Sequence, residues 1–226
     1  MNDFSDRYKK INDRSLTACE IAQRDPKSVK LLAVSKTKPP EMVDEFASLG
    51  QKFFGENKIQ EMVSKWEVMP KDVKWHMIGH VQRNKVKYMA PFVDCIHAVD
   101  SIRLLGEIQK QAEKNNRQIK CLIQIRIAKE ETKFGILPHE LELVLESSKS
   151  YNNILIEGLM GMASFTKDKN QIRNEFKLLK SIYDKYQSYK ILSMGMSGDY
   201  SIAIEEGSNM IRVGSKIFER FTVQIV

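Results

Sequence analysis

The sequence has few cysteines and no long apolar run. Its 226 residues include three cysteines, Cys19, Cys95 and Cys121, which are too widely spaced for a CxxC motif or a disulfide framework. The first 25 residues carry charged side chains throughout, so they lack the apolar core of a signal peptide, and no apolar run is long enough to cross a bilayer. These absences favour a reducing compartment, and we expect a cytoplasmic protein that does not span a membrane.

Positive charge is in excess, but it is not concentrated in one segment. Lys and Arg total 36 against 29 Asp and Glu, a formal net charge of +7, which favours anionic ligands such as phosphates or nucleic acid. The densest basic segment, RNKVK at residues 83–87, is short and lacks the interleaved aromatic side chains of single-strand binders. We therefore expect an anionic ligand but no nucleic acid partner.

Apolar runs alternate with helical patterns along the chain. Short apolar runs predict strands at residues 30–34, 53–54, 73–78, 92–96, 120–127, 154–160, 191–192 and 210–213. The clearest helical pattern between them has apolar side chains at residues 172, 176, 179, 183 and 186. Phe4, Tyr8 and Ile11 have helical spacing too, and they predict an extra N-terminal helix that ends before Pro26.

This alternation predicts an α/β fold with a parallel sheet, because parallel neighbours need crossover connections. Eight strand and helix units predict a closed, single-domain (β/α)8 TIM barrel, while an open doubly wound sheet is the alternative. No linker, low-complexity tract or repeat divides the chain, so we predict one domain over residues 1–226. In such barrels the functional residues lie at the carboxyl ends of the strands.

A lysine closely follows the first predicted strand. Lys36 lies two residues beyond the apolar run that ends at Val34, which places it at the functional rim of the barrel. One interpretation is a surface lysine whose stem packs on the barrel. The other is a Schiff-base lysine, whose amine attacks an aldehyde once it is neutral. We expect Lys38, which precedes two prolines, to be the more solvated of the two lysines.

Two segments with glycine and serine follow the last two predicted strands. They are SMGMSGDY at residues 193–200 and IRVGSKIF at residues 211–218. In barrels, phosphate frequently binds the loops after strands 7 and 8 at the start of a short helix. Closure also sets the eighth strand beside the first, so we expect Lys36 to face an anion site built from these segments.

His76 and His80 are four residues apart, a spacing that some zinc sites use. The segment lacks the glutamate of an HExxH motif and spans a predicted strand end, where this spacing does not place both rings on one face. We therefore predict no metal site. His76 is expected to line or to support the pocket.

Six segments together resemble a known family: LLAVSKTKP, FGENKIQE, WHMIGHVQRNK, KFGI, GLMGMA and LSMGMSGDYSIAIEEGSNMIRVGSKIF. They are similar to segments of the pyridoxal phosphate homeostasis proteins, single-domain relatives of the barrel domain of alanine racemase. The resemblance runs from about residue 4 to residue 219. It implies a barrel that binds pyridoxal 5′-phosphate (PLP).

The resemblance also implies roles for individual residues. Lys36 matches the lysine that forms the Schiff base with PLP, and Arg212 matches the arginine that faces the pyridine nitrogen. A guanidinium only donates hydrogen bonds, so it would keep that nitrogen unprotonated and weaken the cofactor as an electron sink. The other matches are four phosphate-binding positions, Ser197, Gly198, Gly214 and Ser215, and two pocket positions, Asn57 and Met196.

The function implied by the resemblance is that of a carrier or regulator in intracellular PLP homeostasis, without an established catalytic reaction. Its expected partners are PLP and PLP-dependent apoenzymes, and we expect a monomer. No residues remain for the second domain that related racemases use, which favours the carrier. A racemase-like or decarboxylase-like enzyme is the alternative. Two segments depart from the family pattern. The loop at residues 124–135 is the one expected to lie over the cofactor, and the tail at residues 219–226 is expected to contribute to the partner surface.

Overall fold

Strands and helices alternate along the chain. The computed structural model describes residues 3–130 and 133–218. Its strands are β1 Lys30–Val34, β2 Phe53–Glu56, β3 Lys74–Met77, β4 Cys95–Val99, β5 Ile119–Gln124, β6 Ile154–Met160, β7 Ile191–Ser193 and β8 Met210–Val213. Its α-helices are α1 Asp3–Ile21, α2 Pro40–Ser48, α3 Ile59–Val68, α4 Val86–Met89, α5 Ile102–Lys114, α6 Leu141–Ser148, α7 Lys169–Tyr183, α8 Tyr200–Glu205 and α9 Ser215–Phe218.

The strands form a closed parallel barrel. Each strand pairs with the next in the sequence, and β8 pairs with β1 to close the barrel. At the closure, Lys30 lies opposite Met210 and Ala33 lies opposite Val213. This closure confirms the predicted α/β (β/α)8 barrel, and the open doubly wound alternative is wrong. Because all strands are parallel, their carboxyl ends meet at one rim.

Each predicted apolar run overlaps an observed strand, but some boundaries differ. The fourth run predicts a strand from residue 92, whereas β4 begins at Cys95. The N–H groups of Phe92 and Val93 donate to the Met89 carbonyl in a turn instead. These residues are apolar because they pack: Val93 is fully buried, and the Phe92 ring stacks on Trp66 at 4.4 Å between centroids.

The helices bury one face each against the outside of the barrel. In α7, Ile172, Phe176 and Leu179 are buried and Tyr183 is half-buried, which confirms the predicted apolar stripe. Tyr186, the last member of that pattern, lies beyond the helix end. Burying side chains of this size contributes roughly 1.5–3 kcal/mol each, so such stripes fix the helices on the sheet.

The predicted extra helix, α1, packs against α8 and α9. Its Phe4 ring lies 6.3 Å from Phe46 and 6.1 Å from Phe218, centroid to centroid. Gln23, with a φ of 52°, ends the helix in the left-handed conformation. The Arg24 guanidinium then donates to the Ile204 carbonyl at 2.8 Å. The extra helix therefore braces the part of the barrel that carries the predicted phosphate segments.

In residues 3–130 and 133–218, we find no helix with both the length and the apolar composition that a bilayer crossing requires. The closed barrel with its helices accounts for this described part of the chain. The predicted domain over residues 1–226 stays a prediction, since residues 219–226 lie outside the described residues.

Candidate functional site

A cavity of about 420 Å³ opens at the rim where the strands end. Small-molecule sites commonly have volumes of roughly 300–1,000 Å³, so this cavity is large enough for a cofactor. All eight site residues predicted from the sequence line it: Lys36, Asn57, Met196, Ser197, Gly198, Arg212, Gly214 and Ser215. The structure therefore brings the two ends of the sequence to one site, while the ligand contacts of these residues stay a prediction.

Lys36 lies in a tight turn directly after β1. The turn is closed by a hydrogen bond of 3.1 Å from the Lys38 N–H to the Ser35 carbonyl, and Thr37 has a φ of 63°. Lys36 is exposed at the cavity, whereas Lys38 is half-buried and lines the same cavity. The expectation that Lys38 is the more solvated lysine is therefore wrong, because the cavity itself exposes the Lys36 side chain.

A buried ion pair lies beneath this turn. The Lys65 ammonium on α3 donates to the Ser35 carbonyl at 2.7 Å and to Glu56 Oε1 at 2.6 Å. It also donates to Glu61 Oε1 at 2.7 Å, and that oxygen accepts the Thr37 N–H at 2.5 Å. Burial raises the pKa of Glu56, and hydrogen bonds from Lys65 and Ser35 oppose this shift. Both neighbours of the predicted Schiff-base lysine are thus held by one charged cluster.

The two predicted phosphate segments meet where the barrel closes. The Gly214 N–H donates to Ser197 Oγ at 3.2 Å. A Cβ on Gly214 would lie 3.0 Å from the Val34 carbonyl oxygen, so glycine lets the end of β8 approach the end of β1. A Cβ on Gly198 would meet nothing within 4 Å, because that backbone adjoins open space. The segments therefore present hydroxyl and backbone groups to the cavity, as an anion site requires.

Arg212 reaches the cavity from the interior of the barrel. It is only 3% exposed, and its guanidinium donates to Ser193 Oγ at 2.7 Å and to the Gly161 carbonyl at 3.0 Å. Burial lowers the pKa of Arg212 to about 10, although the charge of Asp199 opposes the shift. The guanidinium is therefore still protonated at neutral pH, and both of its acceptors are neutral groups.

A chain of polar side chains continues from Ser193 through the barrel interior. Ser193 Oγ lies 3.1 Å from His97 Nδ1, and His97 Nε2 lies 2.8 Å from His76 Nδ1. Because β4 and β7 are not neighbours in the barrel, the contact between His97 and Ser193 crosses its interior. Burial lowers the pKa of both imidazoles, well below the ordinary value for His97. His76 therefore lies beneath the site and is connected to it through His97 and Ser193, while its supporting role stays a prediction.

The two histidines of the HMIGH segment have different partners. The His80 ring is stacked on Phe134, with centroids 4.1 Å apart, whereas His76 faces the barrel interior. Potential metal ligands of His76, Cys95 and His97 lie within 4.8 Å of one another, and all three residues are buried. Burial raises the pKa of the Cys95 thiol well above its ordinary value, and the imidazoles are already hydrogen-bonded to each other. The expectation of no metal site stays a prediction.

The loops that follow β5 and β6 contact each other at the rim. Glu130 Oε1 accepts the Phe165 N–H at 3.0 Å, and Glu130 Oε2 accepts the Ser164 hydroxyl at 2.6 Å. The Phe165 side chain is 97% exposed. Glu130 belongs to the loop at residues 124–135, which departs from the family pattern. Residues 131–132 of this loop and the divergent tail at residues 219–226 lie outside the described residues.

The chemistry of the cavity suits an anionic ligand that carries a carbonyl group. Lys36 offers an amine, Arg212 a fixed positive charge, and Ser197 and Ser215 offer hydroxyls. Asn57 Oδ1 is buried and has no hydrogen-bond partner among the described residues. An unsatisfied buried acceptor costs roughly 1–3 kcal/mol, so a ligand that donates to Asn57 would remove this cost. The site thus fits the cofactor that the resemblance implies.

Several supporting residues are not predicted from the sequence. Ser193 and His97 meet only because the barrel closes, and no local pattern indicates this. Lys65 does leave a signal: Ile59, Met62 and Lys65 are spaced three residues apart, and all three are buried on one face of α3. A lysine on the apolar face of a helix indicates a buried partner.

Comparison with known proteins finds relatives along nearly the whole chain. The family model for the alanine racemase N-terminal domain matches residues 18–219. The pyridoxal phosphate homeostasis protein of Aquifex aeolicus (strain VF5) is 39% identical over 219 residues, which cover 94% of this chain and 96% of that protein. A crystal structure of an unknown protein from Bifidobacterium adolescentis has a TM-score of 0.91 and 30% identity, covering 96% of this chain and 97% of the other.

PipY of Synechococcus elongatus PCC7942, solved with PLP bound, has a TM-score of 0.78 and 30% identity and covers 91% of this chain and 99% of its own. These likenesses in sequence and structure extend over the barrel and all the segments that carry the resemblance. The chain therefore belongs to the alanine racemase N-terminal domain family and, within it, to the pyridoxal phosphate homeostasis proteins.

Proposed function

We propose that the protein binds PLP as a Schiff base on Lys36 and acts in intracellular PLP homeostasis as a carrier or regulator. The observation that carries this proposal is the single cavity that Lys36 shares with Ser197, Gly214 and Arg212. The family supports it, as does the PLP in the solved structure of PipY.

Each residue has a role that follows from its chemistry. PLP supplies an aldehyde that condenses with an amine with loss of one water molecule, and Lys36 offers that amine. The hydroxyls of Ser197 and Ser215 donate hydrogen bonds to the phosphate. Gly198 allows close approach of a backbone whose N–H groups favour an anion, while the Gly214 N–H orients the Ser197 hydroxyl oxygen by donating to it.

Arg212 favours a role without catalysis. Its two acceptors are neutral, and its pKa of about 10 keeps it protonated at neutral pH. A guanidinium next to the ring nitrogen has no lone pair to accept a proton from it, so the nitrogen stays unprotonated. The ring then withdraws electrons weakly, which disfavours the carbanion chemistry of PLP-dependent enzymes. We therefore infer binding and supply of the cofactor, with no established reaction.

The partners of such a carrier are PLP-dependent apoenzymes. Lys36, Gly198 and Ser215 are exposed at the rim, so the cofactor can exchange there. We propose that the protein works as a cytoplasmic monomer. Sedimentation of the purified protein with and without PLP tests the monomer, and activation of an apoenzyme by the loaded protein, beyond the rate of free PLP, tests the transfer.

A racemase-like or decarboxylase-like enzyme is the second candidate, favoured by the match to the alanine racemase N-terminal domain. Such an enzyme would exchange the α-hydrogen of an amino acid with solvent or release its carboxyl group. Incubation of the PLP-loaded protein with amino acids in heavy water separates the two functions. Deuterium at the α-carbon would support the enzyme, and its absence would support the carrier.

The test of the main proposal compares three proteins titrated with PLP. After unbound PLP has been removed, we expect the wild type to keep the yellow absorption of a Schiff base, Lys36→Ala to lack it, and Lys38→Ala to behave as the wild type. Lys38 is the matched control because it lines the same cavity two residues away. A wild type that takes up no added PLP would contradict the proposal.

A further inference from the structure

The turn that carries Lys36 has an unusual backbone conformation. Thr37 has a φ of 63°, a region that is disfavoured for a β-branched residue. Such conformations persist where surrounding contacts fix them, and they cluster at ligand sites. The Thr37 N–H donates to Glu61 Oε1 at 2.5 Å. The contact that fixes this conformation therefore comes from α3, outside the cavity.

Lys65 connects the two sides of this turn. Its ammonium donates to the Ser35 carbonyl, before Lys36, and to Glu61, which holds the residue after it. The third hydrogen bond goes to Glu56 Oε1 at 2.6 Å. An ammonium has three N–H donors, so each has an acceptor here. One buried cation thereby fixes the chain on both sides of Lys36.

Packing alone does not account for a charged residue at this position. The side chains of Lys65 and Glu56 are 3% and 0% exposed. Removing two charges from water is costly, and an apolar pair of similar volume is often as stable as a buried ion pair. Glu56 Oε2 even lacks a hydrogen-bond partner among the described residues. An apolar pair would not supply the hydrogen bonds that connect Lys65 to the turn.

We propose that Lys65 is a positioning residue for Lys36. By holding Ser35 directly and Thr37 through Glu61, it fixes the turn so that the Lys36 side chain projects into the cavity. Lys65 itself lies below the turn and acts only through its neighbours. The inference rests on the proposed function, because the direction of Lys36 matters for bonding to an aldehyde and not for binding a phosphate.

The experiment compares PLP with 4′-deoxypyridoxine 5′-phosphate, an analogue that has the ring and the phosphate but no aldehyde. The ratio of the two affinities measures the covalent contribution alone. The variant is Lys65→Met with Glu56→Gln, which removes both charges and leaves no buried carboxylate unpaired. The matched control is Lys52→Met, which removes a lysine from an exposed ion pair with Asp72.

We expect the affinity ratio to fall about tenfold to a hundredfold in the double variant. A small misplacement of a reacting group can cost that much. The affinity for the analogue is expected to stay within about twofold of the wild type, and the control should change neither value. An unchanged ratio would overturn the inference. Loss of both affinities would also overturn it, because the cluster would then hold the whole cavity. A wild type with equal affinities would instead contradict the Schiff base itself.

A second variant keeps the test decisive if the double variant does not fold. Glu61→Ala removes the acceptor of the Thr37 N–H, and Glu61 is only partly buried, with a side chain 23% exposed. We expect a smaller fall of the affinity ratio with no change for the analogue. An unchanged ratio in this variant would overturn the inference.

Discussion

Two buried polar groups of residues support the cavity, and they are built in opposite ways. The lysine cluster under Lys36 consists of Lys65, Glu56 and Glu61, and it is charged. The imidazole chain under Arg212 consists of Ser193, His97 and His76, and it is neutral at neutral pH because burial lowers the pKa of both imidazoles. Opposite charges compensate within the first group. In the imidazole chain no group in contact with Arg212 carries a negative charge, so the charge of Arg212 is available to a ligand.

The single variant Lys65→Met disrupts the charged lysine cluster and should cause the largest loss of stability. It leaves Glu56 buried beside no cation, and such a change costs about 3–5 kcal/mol of unfolding free energy. The double variant with Glu56→Gln should recover most of this loss. Urea unfolding of the three proteins checks the prediction. Equal losses in the single and double variants would show that the two side chains do not act as a pair.

Arg212→Leu removes the side chain that the imidazole chain supports, and it should cost less stability than Lys65→Met. The substitution removes hydrogen bonds to Ser193 Oγ and the Gly161 carbonyl, and unsatisfied buried acceptors cost roughly 1–3 kcal/mol. No buried carboxylate loses a cation in direct contact. The measurement is again urea unfolding, with PLP affinity in parallel. A loss larger than that of Lys65→Met would contradict the proposed difference between the two groups.

The imidazole chain should make stability fall at acidic pH. The pKa of His97 lies well below its ordinary value in the folded protein, whereas it is about 6.5 in an unfolded chain. As the pH falls below about 6.5, the unfolded chain takes up the proton first, so stability is lost by up to about 1.4 kcal/mol per pH unit.

His97→Gln should make this dependence shallower between pH 6.5 and the acidic end of the folded range. The control is His139→Gln, a substitution of an exposed histidine. Unfolding free energies measured across this range decide the question. An unchanged slope in His97→Gln would mean that the interior imidazole is not kept neutral. Glu56 acts in the opposite direction, because its raised pKa favours the folded state as the pH falls.

Gly198 and Gly214, two of the three glycines in the phosphate segments, should show the smallest effects. A Cβ on Gly214 would press on Val34, whereas one on Gly198 would meet nothing within 4 Å. We expect Gly214→Ala to cost about 1 kcal/mol and Gly198→Ala less than about 0.5 kcal/mol. Thermal unfolding checks both. Equal shifts would mean that the closure between β1 and β8 tolerates a side chain.

The fold, Lys36 and the two glycine-serine segments could be predicted because they depend on local patterns, whereas Asn57, Met196 and Arg212 were implied only by the family resemblance. Apolar runs mark each strand, and a lysine or glycine placed just after a run must lie at the rim once the barrel closes. The boundary of β4 could not be predicted, since Phe92 is apolar for contact with Trp66 and not for a strand. Local spacing says nothing about which distant residues share a turn or an interior.

The supporting residues depend on such distant contacts. Glu56 stands in the FGEN segment as an ordinary strand-end carboxylate, and only the packing of α3 shows that Lys65 neutralises it. The contact between His97 and Ser193 joins strands that are not neighbours. The prediction that Lys38 is more solvated than Lys36 is wrong for a similar reason. The exposure of a side chain inside a cavity cannot be predicted from neighbouring prolines.

The most direct measurement reduces the PLP-loaded protein with borohydride and maps the modified peptide by mass spectrometry. Reduction converts a Schiff base into a stable secondary amine, so the position of the label identifies the bonding lysine. We predict a single label on Lys36, with none on Lys38 although it lines the same cavity. A label on Lys38, or no label on protein saturated with PLP, would contradict the central role of Lys36.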